Sequence, residues 1–591
     1  MAPIRRPRLP RITLSRTALL SCLPVALIAV LVPLAAWKGL PEFAGPRLLA
    51  GGILLAASAW WCVRAIVRNP RIPLGLALID ILFAAFYALY LVSWAFSSGP
   101  GVSLTAVLLE APFPVFYIAC RALFRKGEEG RGLLFLVAGA VTLTAAALAA
   151  WGLVQYFFEI DISGNIRELF KTHHYPVVAS MGNPNYLSEF LVLALPFMVA
   201  FFTRIRRFGV MAAALAVTGL AVYLTYSRLA WFVLACVMLL VIAFSHRPAR
   251  DWLAGALAAL VLITGAFFAF HYLSGTPQSD RVVQSFALSR TTPLFERRVL
   301  YASGFTMLGD AGALGAGPGM FGVRYLEYQG RYVSTAQADR FQLKHLVDID
   351  HAHSDLIEIA FDSGIPSALA FLALLVAALV LGIARARLRD HAAYVALVPL
   401  VYLPFCLWSF PFYIPFSKML LVAALAFLAS GSRPLLAGEF PGRLTALVLA
   451  ALLALWGSMA YRYAASLYLY TRASDAHEKD PALAEELYTG ALGAYPHQGH
   501  AYLGRGTLRA AQKHPGAVDD LRKSLDYVND AGSYLALARA LRDRGMTDEA
   551  RRWYRKLMYL RPDIRKAVQE YRELGPATGD AQERGANENN R

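Results

Sequence analysis

The chain has 591 residues, 57% of them hydrophobic and only 16% charged, with a mean hydropathy of +0.46. That composition excludes an ordinary soluble protein of this size and leaves a polytopic membrane protein. The formal charge of +17 does not point to nucleic acid, because Lys and Arg fall between apolar runs and not in one patch with stacking aromatics.

The first sixteen residues are basic (Arg5, Arg6, Arg8, Arg11, Arg16) and lead into an apolar run without a small-residue cleavage site, which predicts a cytoplasmic N-terminus and a retained first span. Apolar runs near 17–37, 48–66, 73–96, 102–121, 133–157, 186–203, 208–226, 228–245, 252–272, 365–384, 391–411, 415–431 and 443–462 suit membrane helices of roughly 17 to 25 residues. They predict an all-α bundle of about thirteen spans over 17–462. The connections Arg64–Arg71, Arg121–Arg131, Arg204–Arg207, Arg247–Arg250 and Arg385–Arg389 are rich in Arg or Lys, whereas 97–101 and 412–414 carry almost no positive charge. By the positive-inside rule the first set is cytoplasmic, which puts the connections 158–185 and 273–353 and everything after about Tyr463 outside. The five cysteines lie in apolar spans with no C-x-x-C spacing and predict neither a metal nor a disulfide framework.

Within the large outer connection, 312–322 (GALGAGPGMFG) is glycine-rich, and Asp348–Leu369 joins acids and histidines to a helical apolar face. There Ser354 is expected to cap a helix that Gly364 and Pro366 end. A histidine just ahead of a helix N-terminus meets a partial positive field that favours the neutral imidazole of a general base.

Beyond Tyr463 the residues become those of a soluble helical domain, 463–574, and Ala484, Ala517 and Ala550 recur at a 33-residue period with Tyr488, Leu521 and Tyr554 four positions on. The period resembles that of tetratricopeptide repeats, about 34 residues, and predicts a short α-solenoid. A packed appendage and a docking surface for a protein partner both fit it. The polar stretch 575–591 is expected to be a disordered tail.

Four elements recur in order. They are Gly182-Asn183-Pro184-Asn185, Tyr226-Ser227-Arg228, Arg297 with Tyr301 leading to Leu314–Phe321, and His353-Ser354 followed by Leu356, Glu358 and Gly364-Ile365. Together, with the large outer loop, they resemble the O-antigen ligase and O-antigen polymerase superfamily of bacterial membrane glycosyltransferases, most closely from about 180 to 370. The family's His-Asn is His353-Ser354 here, and its Arg-x-x-x-Trp is Arg297-x-x-x-Tyr301. These departures leave His351 in competition with His353, and Arg298 with Arg297.

The resemblance implies a bacterial inner-membrane enzyme with a fold similar to the GT-C glycosyltransferases. It implies transfer of a glycan from an undecaprenyl-diphosphate carrier to an acceptor hydroxyl on the periplasmic face, with no cofactor and no metal. Arg228 and Arg297 would neutralise the diphosphate leaving group, for which guanidinium forks are suited. His353 would take or orient the acceptor proton. Arg298, His351, Asn183, Asn185 and Gly317 are candidates for substrate contacts.

Each assignment has a plainer competitor. Arg228 could snorkel to headgroups, Arg297 and Arg298 could form a solvated face, the glycines could only turn the chain, and Asn183 and Asn185 could only cap a helix. Asp348, Asp350, His351, His353 and Asp355 would share a cation if the segment were extended, with His173-His174 as a second ligand set. Asp80, Glu110, Glu189 and Lys418, within apolar spans, would line a channel or pair inside the bundle. The acceptor defines a ligase (lipid), a polymerase (a second carrier-linked glycan) or a protein O-glycosyltransferase. A transporter of the lipid-linked glycan is the alternative from another class.

Overall fold

The computed structural model describes residues 15–34, 44–68, 70–125, 127–158, 177–273, 292–335, 346, 348–387 and 390–575. Residues 1–14 of the basic N-terminus, His173 and His174, positions 274–291, 336–345 and 347 of the large connection, and the tail from 576 lie outside the described residues.

In chain order the elements are α1 (Arg16–Leu34), α2 (Ala44–Arg68), β1 (Arg71–Leu76), α3 (Leu78–Ala95), α4 (Pro100–Glu110), α5 (Pro112–Phe124), α6 (Gly127–Phe158) and α7 (Pro184–Ile205). Next come α8 (Phe208–Leu224), α9 (Arg228–Phe244), α10 (Arg247–Leu273), α11 (Thr292–Asp310), α12 (Met320–Thr335), α13 (Asp355–Ser363), α14 (Ile365–Ala386), α15 (Val398–Trp408) and α16 (Pro415–Ser430). The chain ends with β2 (Leu436–Pro441), α17 (Gly442–Ala476), α18 (Pro481–Ala494), α19 (Gly499–Ala511), α20 (Ala517–Ser524), α21 (Ala531–Asp543), α22 (Thr547–Leu560) and α23 (Arg565–Glu573).

Among the described residues ten helical stretches are long and apolar enough to cross a membrane by length and composition, and α8, α9 and α16 are shorter apolar helices over the remaining expected spans. The protein is therefore an all-helical, multi-pass membrane protein, apart from a two-stranded antiparallel ribbon that the hydropathy pattern does not announce. In it β1 pairs with β2 from Arg71 opposite Pro441 to Leu76 opposite Leu436. Because paired strands cannot be separated by a bilayer, the connections that carry them share one side of the membrane.

The chain divides into two compact units that are discontinuous in sequence, one of residues 1–87, 109–287 and 369–457, the other of 88–108, 288–368 and 458–591. In the first, α7 is enclosed by neighbouring helices along nearly its whole length. The ionisable residues in its spans are largely paired. Lys418 Nζ meets Glu110 at 2.6 and 2.8 Å, with Tyr87 donating to the same carboxylate at 2.8 Å. Asp80 accepts from Arg121 Nε at 3.0 Å, from the Tyr117 hydroxyl at 2.6 Å and from the Ala77 amide at 2.7 Å. Glu189 is fully enclosed in α7.

In the second unit α11, α12 and α13 surround a core that includes Leu300, Met307, Phe321, Tyr325, Ala352 and Phe361. The helices after α17 pack in succession, and the 33-residue period marks equivalent interior positions. Ala484, Ala517 and Ala550 are buried, and so are Tyr488, Leu521 and Tyr554 one turn later. Small residues there let neighbouring helices approach closely. Leu326 of α12 joins the repeat core, and Gly330 is required where α12 meets α22, since a Cβ there would lie 2.9 Å from the Leu560 Cα. Thr105 of α4 shares a 2.8 Å hydrogen bond with Tyr495, so the N-terminal end of α4 and the repeat helices also share one side of the membrane.

Candidate active site

The site is built from the segment that enters α13. Ser354 stands at the N-cap with extended backbone, but its side chain makes no capping bond, contrary to the sequence expectation. Glu358, one turn into the helix, closes this end instead. Its buried carboxylate accepts the Ala352 amide at 2.7 Å and meets His351 Nδ1 at 2.8 Å. Burial pushes the Glu358 carboxyl well above its ordinary range. A short hydrogen bond joins the imidazole to the buried carboxyl group. His351 is thus oriented by a carboxylate, as a ring tautomer needs.

His353 lies two residues on with a left-handed backbone, φ 49°. This breaks the extended alternation that would have put the acids and histidines on one face. Asp348 is drawn away to Arg561, whose guanidinium reaches Asp348 Oδ1 at 2.6 Å and the Leu346 carbonyl at 3.0 Å. Among the described residues no three His, Cys, Asp or Glu side chains are grouped to hold a metal ion.

Residues 297 and 298 separate on α11. Arg297 is half-buried and Arg298 exposed. Arg297 Nη1 stands 3.5 Å from the Tyr301 hydroxyl one turn along, and Tyr301 donates to the His353 carbonyl at 3.1 Å. Tyrosine therefore links the arginine to the histidine segment. Burial first, then the Arg297 and His351 charges, lower the His353 imidazole to about 4. The ring is therefore neutral across the neutral range, the form in which a general base starts.

The glycine-rich stretch docks on the C-terminal end of α13. The Ala316 and Gly317 amides donate at 2.8 Å to the Phe361 and Asp362 carbonyls, and the Asp362 carboxylate accepts the Gly319 and Phe321 amides, each at 2.8 Å. Gly317 has φ 115°, and a Cβ on it would fall 2.0 Å from Ser97 Oγ. Gly364 has φ 87°, and its Cβ would lie 2.2 Å from the Ala313 carbonyl oxygen. These glycines let loop and helix end meet, and the Gly317 amide is engaged within the fold.

Arg228, Asn183 and Asn185 belong to the other compact unit. Arg228 opens α9 and is exposed, after Tyr226 in the left-handed region at φ 57°. Asn183 caps α7, its side chain accepting the Asn185 amide at 2.8 Å, with Pro184 at the first helical position. The Asn185 side chain is exposed. Among the described residues Ala179, Arg206, Tyr226, His353 and Lys513 have positive φ without being glycine. Three of them fall in or just before the recurring elements, and such conformations, costing about 1–3 kcal/mol each, cluster at functional sites. Sequence reasoning missed the His351–Glu358 pair, although Glu358 at the helix start was a usable signal, and the tie from Arg561, for which no local signal exists.

Fold and site together define a multi-pass membrane protein with an arginine–tyrosine–histidine cluster beside a short helix in its large non-membrane connection. Residues 211–372 match the family model described as O-antigen ligase. The matched segment holds Arg228, Arg297, Arg298, Gly317, His351 and His353, and it supports an O-antigen-ligase-like function for the chain. No curated protein matches the chain.

Proposed function

We propose that the protein transfers a glycan from an undecaprenyl-diphosphate carrier to an acceptor hydroxyl on the outer face of a bacterial inner membrane. The observation that carries the reading is the cluster of Arg297, Tyr301 and a neutral, half-buried His353 inside the matched segment. His353 takes the acceptor proton as the acceptor oxygen bonds to the anomeric carbon. The bond from that carbon to the diphosphate oxygen breaks, and the diphosphate leaves with the bonding pair. Arg297 neutralises the charge that develops, and Arg228 is the second candidate for that role. Such stabilisation is commonly worth several kcal/mol. His351, oriented by Glu358, and Arg298, Asn183 and Asn185 are kept as candidates for substrate contacts, whereas Gly317, whose amide and carbonyl are both hydrogen-bonded within the fold, shapes the loop. The helices after α17 form a tetratricopeptide-like array on the outer side, in keeping with the contact between Thr105 and Tyr495.

The test is product identification. Purified full-length protein in detergent is incubated with carrier-linked glycan and with lipid, glycan or peptide acceptors, without nucleotide, and the product is read by mass spectrometry. Glycan joined to a lipid acceptor supports the ligase reading; an elongated carrier-linked chain or a modified peptide redirects it to a polymerase or a protein glycosyltransferase. No new bond, with labelled carrier crossing a vesicle bilayer, replaces it with transport.

A further inference from the structure

Within the second unit, the turn that begins α4, the outward face of α12 and the repeat helices α20 to α22 enclose a groove of about 400 Å³. That volume falls in the range of small-molecule sites, about 300–1,000 Å³. The wall is unlike the apolar cores beside it. Tyr534 and Trp553 form an angled aromatic pair, ring centroids 5.8 Å apart and planes at 49°, with Lys556 Nζ 5.3 and 5.6 Å from their centroids. Tyr527 on the same wall stacks on the parallel ring of Tyr502 at 6.1 Å, with Lys523 Nζ 5.6 Å from its centroid. Rigid aromatic faces among polar groups suit a saccharide, whose pyranose ring has an apolar C–H face for stacking and an equatorial belt of hydroxyls for hydrogen bonds.

The charges decide which saccharide. Lys556 bonds to Glu327 at 3.3 Å, and Lys523 to Asp526 at 2.7 Å, so each of these cations is already matched by an acid on the wall. Arg324 on α12 also lines the groove, is half-buried, and has no hydrogen-bond or ion-pair partner among the described residues. A guanidinium in that situation is best satisfied by a planar or tetrahedral anion that it can grip with two N–H groups. We propose that this groove is a binding site for an anionic saccharide, its carboxylate or phosphate held by Arg324 and its rings resting on Trp553, Tyr534 and Tyr527.

The same helix serves both sites. Met320 and Val323 line the groove, while Phe321 packs in the core with Ala352, and Gly322 lies so close to Asp350 that a Cβ would meet its carbonyl oxygen at 3.0 Å. A saccharide in the groove therefore bears on the helix that supports the histidine segment. The assignment rests on the transferase reading only for what the bound sugar is used for.

The test is calorimetric titration of purified full-length protein with trigalacturonate, a hexose 6-phosphate, neutral maltotriose and a glutamate-rich hexapeptide. The expected result is binding of an acidic sugar, with no heat from maltotriose and affinity weakened about tenfold or more by Arg324→Gln, as loss of a charged hydrogen bond implies. Trp553→Ala weakens the same ligand, and Arg324→Lys recovers part of the affinity; an unchanged melting temperature of Arg324→Gln separates lost contact from misfolding. Trigalacturonate alone binding identifies a carboxylate ligand, and the phosphate alone a phosphorylated one. Equal affinity for neutral and acidic sugars, affinity untouched by Arg324→Gln, or preference for the peptide overturns the proposal. Acidic-sugar binding without any transferase product would leave this site standing and remove the transferase reading, while transfer without such binding does the reverse.

Discussion

Two buried ionic arrangements in this protein are built on opposite plans. In the membrane helices Lys418 is only 1% exposed and sits between the two oxygens of Glu110, with the Phe412 ring centroid 3.5 Å away and that of Phe113 at 4.4 Å. Opposite charges are matched, and aromatic faces take up what remains of the positive field. At the entrance to α13 a cation is instead set beside a group that could itself become cationic, since Arg297 bears on His353. The first arrangement lowers the cost of charge in an apolar bundle. The second keeps an imidazole neutral in the resting site, at some expense to stability and to basicity, which is the form in which a general base starts and a purely structural histidine does not require. Charge matching thus marks scaffold, and charge conflict marks the candidate chemistry.

The strongest way to break this contrast is His353→Ala. On the proposed mechanism it lowers kcat by about 10²- to 10⁴-fold, the usual contribution of a positioned base, with little change in melting temperature. His351→Ala is expected to cost less activity and more stability, because it leaves the buried Glu358 without its imidazole partner. Turnover retained by His353→Ala, measured with the product assay, removes His353 from the mechanism.

In the bundle the effect falls on stability. Lys418→Met strands the Glu110 carboxylate inside the first unit, and breaking one side of such a pair costs about 3–5 kcal/mol. The double replacement Glu110→Gln with Lys418→Met restores much of that loss, because no buried charge is then left unmatched. Thermal melts of the purified variants in detergent read both. If the single variant melts like the parent, the pair is not the scaffold element described here.

The sequence carried the elements whose signal is local. Among the described residues ten helical stretches are long and apolar enough to cross a membrane, and shorter apolar helices lie on other expected runs, because length and hydropathy are properties of a short window. The start of the 73–96 run is strand β1, however, and the 102–121 run is divided between α4 and α5. The 33-residue recurrence of Ala484, Ala517 and Ala550 likewise marked interior positions, since a repeated unit must bury the same face each time. The ribbon was not legible. Its strands, RIPLGL and LAGEFP, each contain proline, β2 is exposed along its length, and partners such as Arg71 and Pro441 lie far apart in the chain. The same distance hid the approach of Gly317 to Ser97 and of Arg561 to Asp348. At the site, sequence could name two histidines and two arginines but could not rank them. That ranking depends on which face of α11 turns inward and on a left-handed residue at 353, and neither leaves a periodic trace.

The finest probe of the charge conflict is the pH profile. An unperturbed histidine titrates near about 6.5, whereas burial, Arg297 and His351 bring His353 down to about 4. The base form is therefore present throughout the neutral range, and kcat/KM should stay level from neutrality to mildly acidic pH, falling only as pH drops through about 4. Arg297→Gln removes one of the three causes, so the imidazole moves back toward its ordinary value and the acid limb moves up with it. The same substitution lowers the plateau by roughly a hundredfold if Arg297 also neutralises the leaving group. The stability profile follows with a definite sign. Below about 6.5 the unfolded chain binds a proton at this histidine that the folded chain refuses, so stability falls as pH is lowered toward 4 and changes no further from this group below it. In Arg297→Gln that window narrows from its acid end. A lower plateau with an unmoved acid limb would leave Arg297 a role toward the diphosphate but none in tuning the base, whereas a moved limb with an unchanged plateau would assign it to the histidine alone.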